Sequence, residues 1–161
     1  MKDFIFGSYK MRVDVARTRR HYSGRPAPWI GCDCAGCRNF ARAVGTLPQA
    51  VADFFRALGV DPRQPAETCH YYAADADSVF SSAWYHVCGE LLAGGPAPGS
   101  GMRYGAEFGL CDGVSVSAAT ECDLLPDDFP RPCFQIEIWL YRLPWLLDEP
   151  NPYFSGQEKR V

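Results

Sequence analysis

Apolar and polar residues alternate along three parts of the chain, and this alternation predicts half-buried β-strands. The clearest case is "CFQIEIWLYRLPW", residues 133–145, where every second residue from Phe134 to Leu140 is apolar. A shorter case is "YKMRVDV", residues 9–15. The segment 68–92 predicts two further strands joined by the polar turn "DADS". These segments together predict a β-sheet.

The apolar spacing changes to that of α-helices between these strands. Residues spaced by three and four predict one helix over about 36–44 and a second over 47–58. Thr46 and Gln49 have the spacing of a capping box at the start of the second helix, and Gly59 is a left-handed stop at its end. The polar segment "ARTRRHYSG" predicts a short helix that is not counted among those packed on the sheet.

The order of these elements predicts an α+β fold, because strands precede and follow a pair of helices and hairpins fill the second half. We expect a mostly antiparallel β-sheet with helices 36–44 and 47–58 packed on it. The 161 residues suit a single domain, residues 1–161. The glycine- and proline-rich segment 93–101 is expected to be a flexible internal loop, and the tail 150–161 is expected to fray.

Charge and hydropathy narrow the range of partners. The net charge of −3 gives no strong field toward nucleic acid or an anionic membrane. No apolar run approaches the ~18–20 residues of a membrane span. We therefore expect a cytoplasmic protein with a protein or small-molecule partner and neither a membrane nor a nucleic-acid partner. The eight cysteines are then expected to be reduced.

The stretch "GCDCAGCRNF", residues 31–40, carries the strongest indication of chemistry, since Cys32, Cys34 and Cys37 lie in one tight turn. Thiolates are good zinc ligands, and a structural zinc site takes four ligands in a tetrahedron. The turn predicts three of them, so zinc is the candidate cofactor. The fourth ligand would come from another part of the chain; the candidates are His21, Cys69, His70, His86 and Cys88.

Two other interpretations of the cysteine turn stay open. Cys34 and Cys37 form a CxxC pair directly before a predicted helix, whose N-terminus would lower the pKa of a nearby thiol, as in a thiol-dependent redox enzyme. Such a site normally follows a strand, whereas Pro26 and Pro28 precede this one and predict extended chain. The cysteines would otherwise be small buried apolar residues with no chemical role.

Aromatic residues suggest a second candidate site. Trp84 and His86 share one face of a predicted strand, and Trp139 lies on the last strand. We expect these three side chains to form a pocket together with the cysteine turn. No G-x-S-x-G elbow and no P-loop lysine occur. The first hypothesis is therefore a non-enzymatic binding or interaction domain, and the alternatives are a small zinc-binding protein and a thiol-dependent redox enzyme.

Several stretches together resemble a group of small bacterial proteins of unknown function that carry a G-C-x-C-x-x-C-x-N-F segment. The resemblance rests on "GCDCAGCRNF", "FFRALGVDPRQPAE", "AWYHVCGEL", "LLPDDFPRPCFQIEI" and "PWLLDEPNPY" and covers most of the chain. It implies a bacterial cytosolic protein. It transfers no fold, activity or catalytic residue to this sequence.

Overall fold

The computed structural model describes residues 1–25 and 31–156. These residues form seven strands and three α-helices, with a short 3₁₀ turn at Val44–Thr46. In chain order the elements are β1 (Lys2–Phe6), β2 (Tyr9–Val13), α1 (Val15–Ser23), α2 (Ala35–Ala43), α3 (Gln49–Leu58), β3 (Glu67–His70), β4 (Ser78–Ala93), β5 (Phe108–Cys111), β6 (Val114–Ala119) and β7 (Cys133–Pro144).

All strand pairs are antiparallel, and the sheet order is β1-β2-β4-β7-β6-β5. The long strand β4 pairs with β7 along one edge, and its other edge is shared by β2 and β3. The predicted α+β fold with a mostly antiparallel sheet is confirmed. The alternation in residues 133–145 corresponds to β7, which lies in the middle of the sheet.

The helices pack on one face of the sheet and enclose the hydrophobic core. The predicted stripe of α3 is buried, and the ring of Phe55 meets that of Tyr85 on β4 at a centroid distance of 4.8 Å. Because side chains alternate along β4, Ala83 and Tyr85 face this core while Trp84 and His86 face the other side. The sheet therefore has one face covered by helices and a second face of mixed polar and aromatic residues.

The predicted number of packed helices was too low by one, because α1 also packs on the sheet. This helix is attached mainly through polar groups. The hydroxyl of Tyr22 donates to the carbonyl of His86 at 2.9 Å, and the hydroxyl of Thr18 accepts from the backbone of Cys88 at 3.0 Å. A regular spacing of apolar residues cannot predict a helix that is attached to the sheet by hydrogen bonds.

The predicted capping box of α3 was wrong, whereas its C-terminal stop is confirmed. Pro48 holds the N-cap position without a side-chain cap, and the hydroxyl of Thr46 donates to the carbonyl of Ala43 at 2.8 Å. Thr46 thus belongs to the 3₁₀ turn after α2. Gly59 has φ of +78°, and its amide donates back to the carbonyl of Arg56 at 3.2 Å.

Two predicted mobile segments stay predictions. The predicted loop 93–101 begins at the last residue of β4, and the next strand begins at Phe108. In the tail, the amide of Asn151 donates to the carbonyl of Ser78 at 2.9 Å. The extended passage at Pro26 and Pro28 and the end of the tail, 157–161, lie outside the described residues. Among residues 1–25 and 31–156, no helix is long and apolar enough to cross a membrane.

Candidate metal centre

The three clustered cysteines meet at the start of α2. Cys34 is the extended N-cap residue, and Cys37 lies in the first helical turn. The sulfur atoms of Cys32, Cys34 and Cys37 all lie within 4.8 Å of one another, and the first two residues are exposed while Cys37 is buried. Within the part of the chain that the structure describes, this is the one cluster of at least three potential ligands. The three cysteines could hold a metal ion.

The two cysteines of the CxxC pair, Cys34 and Cys37, have different thiol pKa values at the N-terminus of α2. The backbone N–H of Cys37 donates to the sulfur of Cys34 at 3.4 Å. Partial burial disfavours the Cys34 thiolate, but the N–H groups of Cys37 and Gly36 and the thiol of Cys32 outweigh it, and the pKa of Cys34 is lowered. Burial raises the pKa of Cys37 to about 12, although the hydroxyl of Thr68, 3.4 Å from its sulfur, favours the thiolate.

A glycine between these cysteines lets two distant aromatic side chains reach the helix. A Cβ atom on Gly36 would clash with the imidazole of His70 and would lie 2.5 Å from the hydroxyl oxygen of Tyr153. The ring centroids of Tyr153 and His70 lie 5.7 Å apart, and burial raises the pKa of Tyr153. Residues from β3 and from the C-terminal segment therefore close over the first turn of α2.

The imidazole of His70 is held in one orientation, and one of its nitrogens has no partner within residues 1–25 and 31–156. Its Nδ1 lies 2.9 Å from the hydroxyl of Ser81, across the β3–β4 pair. Its Nε2 is buried and makes no hydrogen bond to any described residue. Burial lowers the pKa of His70, which keeps the ring neutral near pH 7. Metal-binding histidines commonly have one nitrogen fixed in this way and the other free for the metal.

Arg38 and Asn39 of the "CRNF" segment hold the chain after β7 against α2. The buried amide of Asn39 donates to the carbonyl of Pro144 at 2.9 Å and accepts from the backbone of Leu146 at 2.7 Å. Arg38 forms an ion pair with Glu149. These contacts bring the segment after β7 across the helix and so position Tyr153. No pattern in the sequence points to Tyr153, since it lies in the tail.

Of the predicted fourth ligands, His70 is the one that contacts the first turn of α2. Its nitrogen is not part of the 4.8 Å group formed by the cysteine sulfurs. Cys69 follows Thr68, which contacts Cys37, so alternation directs its side chain to the other face of the sheet. His86 and Cys88 lie further along β4, and His21 is on α1.

The predicted pocket residues Trp84, His86 and Trp139 share the sheet face that is opposite the cysteine turn. His86 is 3% exposed, and its Nε2 lies 2.7 Å from the carbonyl of Asp123. The indole N–H of Trp139 donates to Ser117 at 3.0 Å, whereas the buried indole N–H of Trp84 has no partner among described residues. The expected pocket therefore does not include the cysteine turn, because the aromatic face and the turn lie on opposite sides of the sheet and are separate candidate sites.

The fold and this cluster define the chain as an α+β protein with three clustered cysteines able to hold a metal ion. Comparison with protein-family models, with curated proteins and with solved structures gave no match. The function proposed for the chain therefore rests on the geometry of its own residues.

Proposed function

We propose that this chain is a small zinc-binding protein whose metal is held by Cys32, Cys34 and Cys37. The observation that carries the proposal is the mutual distance of the three sulfur atoms, at most 4.8 Å. Zn–S bonds of about 2.3 Å in a tetrahedron place thiolate sulfurs about 3.8 Å apart. The cluster needs to contract by no more than about 1 Å to reach that geometry, and two of its members are exposed to incoming metal.

We assign the fourth position to His70. Its buried Nε2 has no hydrogen bond to any residue that the structure describes, which is unfavourable unless a ligand supplies a partner. Gly36 leaves room for the ring beside the cysteine turn, and Ser81 fixes the opposite nitrogen. A neutral imidazole is also the form that binds zinc. A site with four protein ligands is closed, and this favours a structural role over catalysis.

The zinc would join three parts of the fold that are distant in sequence. The cysteines belong to the start of α2, His70 ends β3, and Tyr153 contacts both. Because zinc binding free energy adds to the stability of a folded site, the ion would fix this corner of the domain. This role agrees with a non-enzymatic binding domain, in which the metal stabilises the fold and other surfaces meet the partner.

Zinc is expected to protect the exposed cysteines of the cluster from alkylation. In metal-free protein, Cys32 and Cys34 should react with iodoacetamide, and one equivalent of zinc should slow both reactions at least about tenfold, because bound thiolates are shielded and less nucleophilic. Per-residue labelling read by mass spectrometry measures this. Cys111, also a free cysteine, is the internal control and should be unaffected. Equal labelling of Cys32 and Cys34 with and without zinc would argue against the site.

One observation favours dithiol redox chemistry as a second candidate function. Cys34 is exposed with a lowered pKa, and Cys37 is buried with a pKa of about 12, which is the asymmetry of an attacking and a resolving thiol. The Cys34 thiolate would attack a substrate disulfide and release one thiol. Cys37 would then attack Cys34, release the second thiol and leave a protein disulfide, which an external dithiol reduces. Turnover of a disulfide substrate by zinc-free protein would favour this candidate.

A further inference from the structure

Two cysteines outside the cysteine turn have their sulfur atoms in contact. The sulfurs of Cys122 and Cys133 lie 3.9 Å apart, and both residues are partly exposed free cysteines. A disulfide has an S–S distance of about 2.05 Å, so the two sulfurs need to approach by about 1.9 Å. A change of side-chain rotamer supplies a movement of this size. The pair is therefore close enough to form a disulfide.

The fold holds these two cysteines together. Cys133 is the first residue of β7, and Cys122 follows the end of β6, the strand that pairs with β7. Gln135 fixes the chain on both sides of Cys122. It is opposite Ala119 in the strand register, and its side-chain oxygen accepts from the backbone N–H of Asp123 at 2.7 Å. Because Gln135 lies two residues after Cys133, the two thiols are positioned for reaction with little movement of the backbone.

A third cysteine nearby is the alternative partner for Cys133. Cys88 is directly opposite Cys133 in the pairing of β4 with β7. It is 1% exposed, and its backbone N–H donates to the hydroxyl of Thr18 at 3.0 Å, so it is held beneath α1. An oxidant in solution reaches a buried thiol poorly. Contact between the sulfurs and partial exposure of both residues therefore favour Cys122 over Cys88 as the partner of Cys133.

The two thiols are expected to react in a fixed order. Burial and the neighbouring Cys133 raise the pKa of Cys122 to about 12, although the guanidinium of Arg131 favours its thiolate. A thiol with this pKa is rarely ionised near pH 7, so Cys133 attacks first. The effect of Cys133 on Cys122 is lost once the Cys133 sulfur is bound to the oxidant. Arg131, and Arg17 which donates to the Arg131 carbonyl at 3.4 Å, offer positive charge to an oxidant that carries carboxylates.

We propose that Cys122 and Cys133 form a reversible dithiol–disulfide site whose oxidant is a small disulfide that carries carboxylates, of the class of oxidised glutathione. The Cys133 thiolate attacks one sulfur of this disulfide, forms a mixed disulfide and releases one small thiol. Cys122 then attacks the Cys133 sulfur and releases the second small thiol. The two electrons and the two thiol protons of the pair pass to the two released thiols. The site is separate from the cysteine turn, and it does not depend on zinc.

Mass spectrometry of the oxidised protein tests this assignment. The reduced full chain is equilibrated with excess oxidised glutathione, quenched with acid, alkylated with iodoacetamide in urea and digested with a protease that cleaves before aspartate. Asp123, Asp127 and Asp128 lie between the two cysteines, so the resulting peptides stay joined only through a disulfide. We expect the joined peptide, and alkylation of Cys122 and Cys133 should fall at least about tenfold and return when dithiothreitol is added.

Two variants separate this site from other thiol reactions. In Cys122→Ser, Cys133 is expected to keep one bound glutathione, since the thiol that would release it has been removed. Cys111→Ser, which removes a cysteine from β5, should leave the joined peptide unchanged. Unaltered protein that gives no joined peptide, or that joins Cys133 to Cys88 instead, would overturn the proposal even if Cys122→Ser fails to fold.

Discussion

Replacing Cys34 with serine is expected to reduce bound zinc from about one ion per chain to almost none. A serine hydroxyl stays protonated near neutral pH and is a poor zinc ligand, so the site would keep two thiolates. Cys34 is also the N-cap residue of α2, where serine is a good cap, so the helix should form in the variant. The measurement is the metal content of the variant, purified without a metal-affinity tag.

Cys111→Ser is the matched control for this experiment. Cys111 is also a free thiol, and it lies at the end of β5, away from the cluster. The control should keep the full zinc content. If Cys34→Ser retains as much zinc as Cys111→Ser while staying folded, the metal is held by other residues and the proposed site is wrong.

Replacing Phe55 with alanine is expected to lower the free energy of unfolding by about 3–5 kcal/mol. The side chain is 1% exposed and packs against Phe54 and Tyr85, where the sheet meets α3. Its truncation removes buried apolar area and leaves a cavity that the close-packed neighbours cannot fill. Urea unfolding of the variant and the unaltered protein measures the difference.

Tyr72→Ala is the control for the loss of an aromatic ring. Tyr72 is 61% exposed, so its truncation should change the free energy of unfolding by less than about 1 kcal/mol. Similar effects of Phe55→Ala and Tyr72→Ala would mean that α3 does not seal the core.

The sheet and two of the helices could be predicted because their burial has a regular period. β7 alternates and α3 has an apolar stripe, so each element carries its own signal in sequence. The helix α1 carries little of that signal, since Thr18 and Tyr22 attach it through hydrogen bonds to β4. The predicted capping box was wrong for a local reason. The hydroxyl of Thr46 donates to the carbonyl of Ala43 in the turn after α2, so it does not cap α3.

The candidate site was predictable only where its residues are close in sequence. Cys32, Cys34 and Cys37 form a turn whose spacing is visible directly. His70 and Tyr153 reach that turn only because the pairing of β3 with β4 and the contacts of Asn39 bring them there. Tertiary contacts of this kind leave no periodic pattern in the sequence. The sequence therefore indicates five candidates for the fourth ligand and does not distinguish between them.

The surroundings of the aromatic residues could also be predicted only in part. Alternation puts Trp84 and His86 on one face of a strand, and the strand register then places Trp139 of β7 on the same face of the sheet. A cavity next to His86, however, is completed by Gln64 and Arg25, which lie in irregular chain. Alternation identifies the face of a strand but gives no information about which loops cover it.

The measurement that tests the central proposal most directly is elemental analysis of the unaltered protein, purified without a metal-affinity tag. The proposed site predicts about one zinc per chain, lost on treatment with a chelator and regained when zinc is added back. Folded protein that contains no zinc and takes up none when zinc is supplied would contradict the proposal.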